Sequence, residues 1–310
     1  MSRPWNSCLR LRIAPDAVEA TLRGGWPRSA PPVRARRKVE PAADPAASDA
    51  GGHAAAIDAA MQEIAAQASL KHARLDVELS GALLHLDVVE GDFAGSADRE
   101  LQAIAQACVA EMLGDEAAEH DVRWQLQRDD RHLLIVAIAR ARLAMFEDLA
   151  QRSGMRLRSV KPEFATLWNE FGKALRPGHC VFAVCTATDL SIAVVVDGTI
   201  SSISTGPGID LHDDDPAGNR SDPPIDRVYA KPGHALFTNR FSGAGRGVFS
   251  SIAAMPREGI DTLDARVDRL LCGIGQDPAD QSAFILVASD SPSPSASERW
   301  AVMSTAGVAA

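Results

Sequence analysis

The sequence predicts an α/β fold of two lobes, each a mixed sheet with helices on its faces. Three observations carry this. His132 to Thr205 reads as strand, helix, strand, helix and then an antiparallel meander. Asp197-Gly198, set between two apolar runs, is a two-residue hairpin signal, because both residue types tolerate positive φ. The length, 310 residues, suffices for one large or two medium domains, each with a real core.

The elements follow in order. Cys8 to Ala14 alternates Leu9, Leu11 and Ile13 with Arg10 and Arg12, a half-buried strand with its charges outward. Pro15-Asp16 turns the chain, and Ala17 to Leu22 is the hairpin partner. Val33 to Val39 is an Arg-rich solvated strand or loop, and Pro41 to Gly52 is a low-complexity connector. From Ala54 a helix places Ile57, Met61, Ile64 and Ala68 on one face. Leu75 to Leu79 and Ala82 to Val89 are strands around Ser80-Gly81. Ser96 or Asp98 caps the next helix, whose buried face is Leu101, Ile104, Ala105, Cys108 and Met112; Gly114 stops it. Val122 to Gln127 alternates as a strand. His132 to Ala139 is a continuous apolar run, as in a strand buried on both faces.

A helix with Leu143, Phe146, Leu149 and Ala150 on one side ends at Gly154. Met155 to Val160 is a strand, and Pro162 opens a helix with Phe164, Leu167, Trp168 and Phe171 at i, i+3, i+4 and i+7. Val181 to Cys185, Leu190 to Val196 and Thr199 to Thr205 form the meander. Residues 206 to 231 are polar and turn-rich. Phe241 to Gly247 is a glycine-rich loop, Ile260 to Ile274 an amphipathic helix, and Phe284 to Ala288 and Trp300 to Met303 are strands.

Charge divides the chain unevenly. The net charge is −9, yet residues 1–40 hold nine Lys or Arg against three Asp or Glu, so the remainder carries −15. An acidic body excludes nucleic acid as the main partner, whereas the basic head suits an anionic surface. The five cysteines have no metal-site spacing, and Cys180 and Cys185 read as reduced, buried, small apolar residues. The first residues lack the charged-then-apolar order of a signal peptide, and no apolar run approaches ~18–20 residues. A soluble, cytoplasmic protein is the expectation.

Ser153-Gly154-Met155-Arg156-Leu157-Arg158-Ser159-Val160-Lys161-Pro162 with Asn169, leading into Val181 to Ile203, carries a family resemblance. With Leu133 to Arg142 ahead of it, this text resembles the hinge between the halves of actin-like (RNase H-type) proteins. The particular likeness is to the pilus-assembly PilM type and the cytoplasmic domain of the type II secretion L subunit, over roughly residues 70–205. The resemblance implies a two-lobed actin-like ATPase fold, with a first lobe over 1–172, a second over 173–310, and a small docking subdomain at about 75–127. It also implies a place on the cytoplasmic side of the inner membrane, and a membrane partner's cytoplasmic tail as ligand. Ile104, Met112 and Trp124 are the apolar candidates for that contact, although Trp124 also reads as a sheet-face packing residue. Arg34, Arg36, Arg37 and Lys38 are candidates for contact with anionic lipid.

The nucleotide motifs of that fold are degenerate here. An actin-like ATPase places an acidic residue and glycine in its first hairpin, so that backbone amides reach the phosphates and the carboxylate orients the metal. This chain has Ile13-Ala14-Pro15-Asp16-Ala17, in which proline removes an amide. The second phosphate hairpin falls on Val184-Cys185-Thr186-Ala187-Thr188-Asp189, where Val184 and Thr186 occupy the acid and glycine positions. After Phe284 to Ala288 no adenosine-side glycine motif follows. Asp16 reads as a turn former, and Thr188 and Asp189 as hairpin residues. The His212 to Asp215 cluster lacks calcium-loop spacing. A catalytically silent scaffold without cofactor is therefore expected. The alternative is a divergent ATPase or sugar-kinase-like enzyme that binds ATP and Mg through Asp16, Thr188 and Asp189.

Overall fold

A computed structural model of the chain describes residues 7–24, 31–39, 50–171, 178–186, 188–207, 267–268, 271, 283–288 and 300–304. Two compact units divide it, Met1–Glu170 and Phe171–Ala310. The expected loops at 208–231 and 241–247 lie outside the described residues, as does most of the helix expected over 260–274. Of that helix, Val267, Asp268 and Leu271 are helical, and Val267 and Leu271 are fully buried.

Alternation in the first strands builds the main sheet of the first unit. Strands β1 (Cys8–Ile13), β2 (Ala17–Arg23) and β3 (Val33–Lys38) form an antiparallel meander. Strands β4 (Arg74–Leu79) and β8 (Arg156–Pro162) add in parallel on the other side of β1, giving the order β3-β2-β1-β4-β8. One face is apolar. Leu9, Leu11, Ile13, Val18, Leu75, Val77 and Leu79 pack there against helices α1 (Ala50–Gln67) and α3 (Arg140–Arg152), with Ile64 and Phe146 fully buried among them. Gly154 ends α3 at φ 64°, where the amide of Met155 reaches back to the Ala150 carbonyl (2.8 Å).

A second, smaller sheet is inserted between β4 and β8. Strands β5 (His85–Glu90), β6 (His120–Leu126) and β7 (His132–Ala139) pair antiparallel in the order β5-β7-β6. Helix α2 (Asp98–Leu113) covers one face, burying Leu101, Ala105 and Val109 against Leu133, Ile135 and Ala137. Neither Ser96 nor Asp98 caps this helix. The N-cap is Ala97, which has no side-chain oxygen, and only the return half of a capping box forms, with the Ala97 amide donating to Glu100 (3.0 Å). Strand β4, expected within the docking region at about 75–127, belongs to the five-stranded sheet; the separate sheet begins at His85. Pro162 closes β8 rather than opening the next helix, α4 (Glu163–Phe171).

The second unit repeats the first in topology. Strands β9 (His179–Cys185), β10 (Asp189–Val196) and β11 (Thr199–Pro207) form an antiparallel meander, and β12 (Ala283–Ala288) and β13 (Trp300–Ser304) add in parallel. The order is β11-β10-β9-β12-β13, the order of the first sheet. The expected hairpin turn is present, with Asp197 at φ 50° and Gly198 at φ 80°. The apolar runs β7 and β10 lie in different sheets, as the two-lobed reading requires.

Candidate functional site

The two turns expected as phosphate hairpins, between β1 and β2 and between β9 and β10, each hold backbone polar groups internally. In the first, the Ala14 amide donates to the Ala17 carbonyl (2.8 Å), and the Asp16 carbonyl accepts the Val39 amide (2.7 Å). The buried imidazole of His53, on α1, lies 3.0 Å from the Ala14 carbonyl through Nε2 and ties the turn to the helix. The Asp16 side chain is exposed. In the second turn, Thr186 Oγ accepts the amides of Thr188 (3.3 Å) and Asp189 (2.9 Å) and donates to the Asp189 carbonyl (3.2 Å). This is a hydroxyl-closed turn: amides that a phosphate loop would point outward are turned onto a threonine oxygen. Asp189 is buried at the start of β10.

The side of the first sheet away from α1 and α3 carries charge in rows fixed by strand register. One row is Arg36, Glu19, Arg12, Glu78, Lys161; the next is Arg34, Thr21, Arg10, Asp76, Ser159; a third is Arg23, Cys8, Arg74, Arg156. Three carboxylates of this face are nearly inaccessible, Asp76 at 4%, Glu78 at 3% and Glu163 at 4% exposed. Asp76 accepts from both ends of the Arg158 guanidinium, from Ser159 Oγ (2.9 Å) and from Cys8 Sγ (3.0 Å). Glu78 accepts from Thr166 (3.1 Å) beside Arg10 and Lys161 (3.4 and 3.6 Å), while Glu163 pairs with Arg12 at 2.6 Å. Burial alone would push the Asp76 carboxyl up. The hydrogen bonds from Arg158, Cys8 and Ser159 together outweigh it and hold the group below the usual carboxylate range. Burial first, then the bond to Asp76, pushes the Cys8 thiol up to about 11. Each of the three buried carboxylates is paired, so this constellation holds strands together.

Sequence patterns contain both halves of these rows without linking them. Arg10 and Arg12, and Asp76 and Glu78, each alternate as on a solvated strand face. Only the β1/β4 register opposes them.

The run Arg34, Arg36, Arg37 and Lys38 does not share one face. Alternation along β3 puts Arg34, Arg36 and Lys38 on the charged face, Arg36 lying 3.7 Å from Glu19. Arg37 points to the helical face and pairs with Glu63 of α1. Ile104, Met112 and Trp124 are each half-buried and packed against the core of the inserted sheet. Trp124 donates its indole N–H to Gln102 on α2 (2.9 Å), which makes it a packing residue with a satisfied polar tip. Strands β5 and β6 are the outer strands of that sheet, each paired on one side.

Among the described residues no group of three or more His, Cys, Asp or Glu is placed to hold a metal ion, and no helix is long and apolar enough to cross a membrane.

No family model matches the chain, and no curated protein matches it. Solved structures do. The cytoplasmic domain of EpsL, an inner-membrane component of the type II secretion system of Vibrio cholerae, superposes with a TM-score of 0.51 at 11% identity, over 97% of this chain and 90% of that domain. A Bacteroides thetaiotaomicron protein of unknown function with an actin-like ATPase fold matches with a TM-score of 0.49 at 8% identity, over 97% and 91% of the two chains. The PilM–PilN type IV pilus biogenesis complex matches with a TM-score of 0.48 at 13% identity, over 65% of this chain and 62% of that one. The chain thus shares the fold of the EpsL cytoplasmic domain, at an identity that speaks for fold alone.

Proposed function

We propose that this protein is a non-catalytic actin-like scaffold of a type II secretion-like or type IV pilus-like assembly. In this reading it works in the cytoplasm, against the inner membrane, by docking the cytoplasmic tail of a membrane partner. The observation that carries the non-catalytic part is the state of the two turns. Proline and exposed Asp16 replace an acid–glycine loop in one, and Thr186 takes the amides in the other. A metal-nucleotide would have to break those bonds and would find no paired carboxylate in their place. The shared fold supports the scaffold part, since the EpsL domain belongs to a protein named as an inner-membrane component of a secretion system.

The inserted sheet is the docking surface in this reading. An extended tail adds to an outer strand through backbone hydrogen bonds, and the half-buried Ile104 and Met112 beside Trp124 supply apolar contacts. Two measurements test the proposal. Millimolar MgATP should leave the melting temperature unchanged, since a ligand raises stability only by binding the native state. A rise abolished by Asp16→Ala or Asp189→Ala would identify the divergent ATP-binding enzyme instead. Purified from host membranes, the chain should bring down a bitopic inner-membrane protein whose synthetic cytoplasmic tail competes for binding. Ile104→Asp with Met112→Asp should abolish that recovery while circular dichroism stays native. Recovery of soluble enzymes alone would sink the docking role.

A further inference from the structure

The first unit carries two surfaces of opposite charge, and the basic one takes no part in the tail-docking role. On the charged face of the five-stranded sheet, the three rows together with Lys38, Arg158 and Glu163 hold six more basic than acidic side chains. Three of the four acids of that face are buried, Glu19 being 38% exposed, whereas Arg10, Arg36 and Arg158 expose 45, 52 and 52% of their side chains. Beside α4, whose Glu163 and Thr166 reach Arg12 and Glu78, solvent therefore meets mainly cations in rows spaced by the ~4.8 Å between strands. Apart from Cys8, no apolar side chain stands in its rows, and no aromatic for stacking bases. The inserted region His85–Ala139 is the opposite: twelve Asp or Glu against four Arg, an excess of eight negative charges. Its acids concentrate where α2 runs into the following turn, with Glu111, Asp115, Glu116 and Glu119 all exposed and no Lys or Arg between Glu100 and Val122.

We infer that the guanidinium face of one copy takes the α2 acidic ridge of a second copy, so that the chain associates head to tail. The partner chemistry is supplied by the chain itself. A two-dimensional array of cations without pockets selects a broad anionic surface rather than a single ligand, and the molecule presents one on a different part of the same unit. The two surfaces differ, so the contact is heterologous: each bound copy leaves a basic face at one end and an acidic ridge at the other, and assembly continues into a ring or filament. Between charged, solvated surfaces the attraction is screened by salt, with a Debye length of ~8 Å at physiological strength, so association is weak and ionic-strength dependent.

Sedimentation of the full chain at ~100 μM, near 50 mM and near 500 mM NaCl, tests this. The weight-average mass should at least double at low salt and return to monomer at high salt. Arg34→Glu with Arg36→Glu should be monomeric at low salt, as should Asp115→Lys with Glu116→Lys. Mixed together, these two variants retain one good face and one good ridge between them, so they should form a 1:1 dimer that grows no further. A monomeric wild type at low salt overturns the inference. So does association that survives both variants, or a mixture that stays monomeric while each variant is folded. Sedimentation of the wild type with phosphatidylglycerol vesicles, lost in the Arg34→Glu, Arg36→Glu variant without any self-association, would make the face a membrane surface and equally overturn it. None of these readouts involves the membrane partner's tail, so failure here leaves the tail-docking test standing, and the reverse.

Discussion

Cys8 and Asp76 show what the charged face does at the level of single atoms. The thiol donates to the carboxylate at 3.0 Å, and its pKa of about 11 keeps it protonated at any physiological pH. Since the thiolate is the reacting form, iodoacetamide at pH 8 should alkylate Cys8 at well under a tenth of the rate of an ordinary exposed thiol with pKa near 8.5. Peptide mass mapping over time measures this, and rapid labelling of Cys8 in the native protein would refute it. Asp76→Asn should speed the labelling, because it removes both the neighbouring negative charge and the best acceptor. The same change should destabilise the first unit by about 1–3 kcal/mol, since the amide leaves donors from Arg158, Ser159 and Cys8 poorly matched in a buried site. Solvent around the half-exposed Arg158 moderates its part of that loss. Urea unfolding of the variant reads the difference.

At the level of elements, stability comes from the apolar side of the same sheet. Phe146, fully buried, joins α3 to the core shared with α1 and the β1–β4 strands. Phe146→Ala should cost about 3–5 kcal/mol, as a large cavity does in a core that only partly collapses. A loss under 1 kcal/mol by denaturant titration would mean that the helix does not seal this sheet. Phe146 was legible from its i, i+3, i+6 company of Leu143 and Leu149, and so were the strands around it. The inserted sheet was harder to read. A split of Leu75–Leu126 between two sheets depends on which partners β4 and β7 find, and pairing partners leave no local mark in a sequence. The cap of α2 was missed for a related reason: Ser96 and Asp98 are the better cap residues by type, but the turn after Phe93, closed by the Ser96 amide on the Phe93 carbonyl (3.0 Å), brings Ala97 to that position. That neither of the expected phosphate hairpins carries an acid–glycine pair was legible from the residues alone. The device that closes one of them, the Thr186 hydroxyl, needed coordinates.

For the whole molecule, pH is the variable that sums these local balances. Asp76 and Asp129 both titrate below the ordinary aspartate value of 3.8, because hydrogen bonds from Arg158 and Cys8 in one case, and from His132 and the Arg131 amide in the other, outweigh the burial that raises them. A carboxyl depressed by folding contributes stability that is complete above its unfolded pKa and is lost as pH falls through its folded one. His85 behaves in the same direction for the opposite reason. Burial, and then the facing His120 ring at 5.5 Å, hold its imidazolium form below the ordinary 6.5. The unfolded chain therefore takes up that proton first, and stability declines as pH drops from above 6.5 toward the folded value. Stability should thus fall in two stages on acidification, a shallow one between pH 7 and 5 and a steeper one below 4. The urea midpoint, followed across that range, measures both. His85→Asn should flatten the first stage and leave the second, and Asp76→Asn should make the second shallower, with Asp129 still contributing, and leave the first. A midpoint that stays level from pH 7 to 5 in the unaltered protein would show that His85 does not resist protonation, and that the fold draws its pH dependence from carboxylates alone.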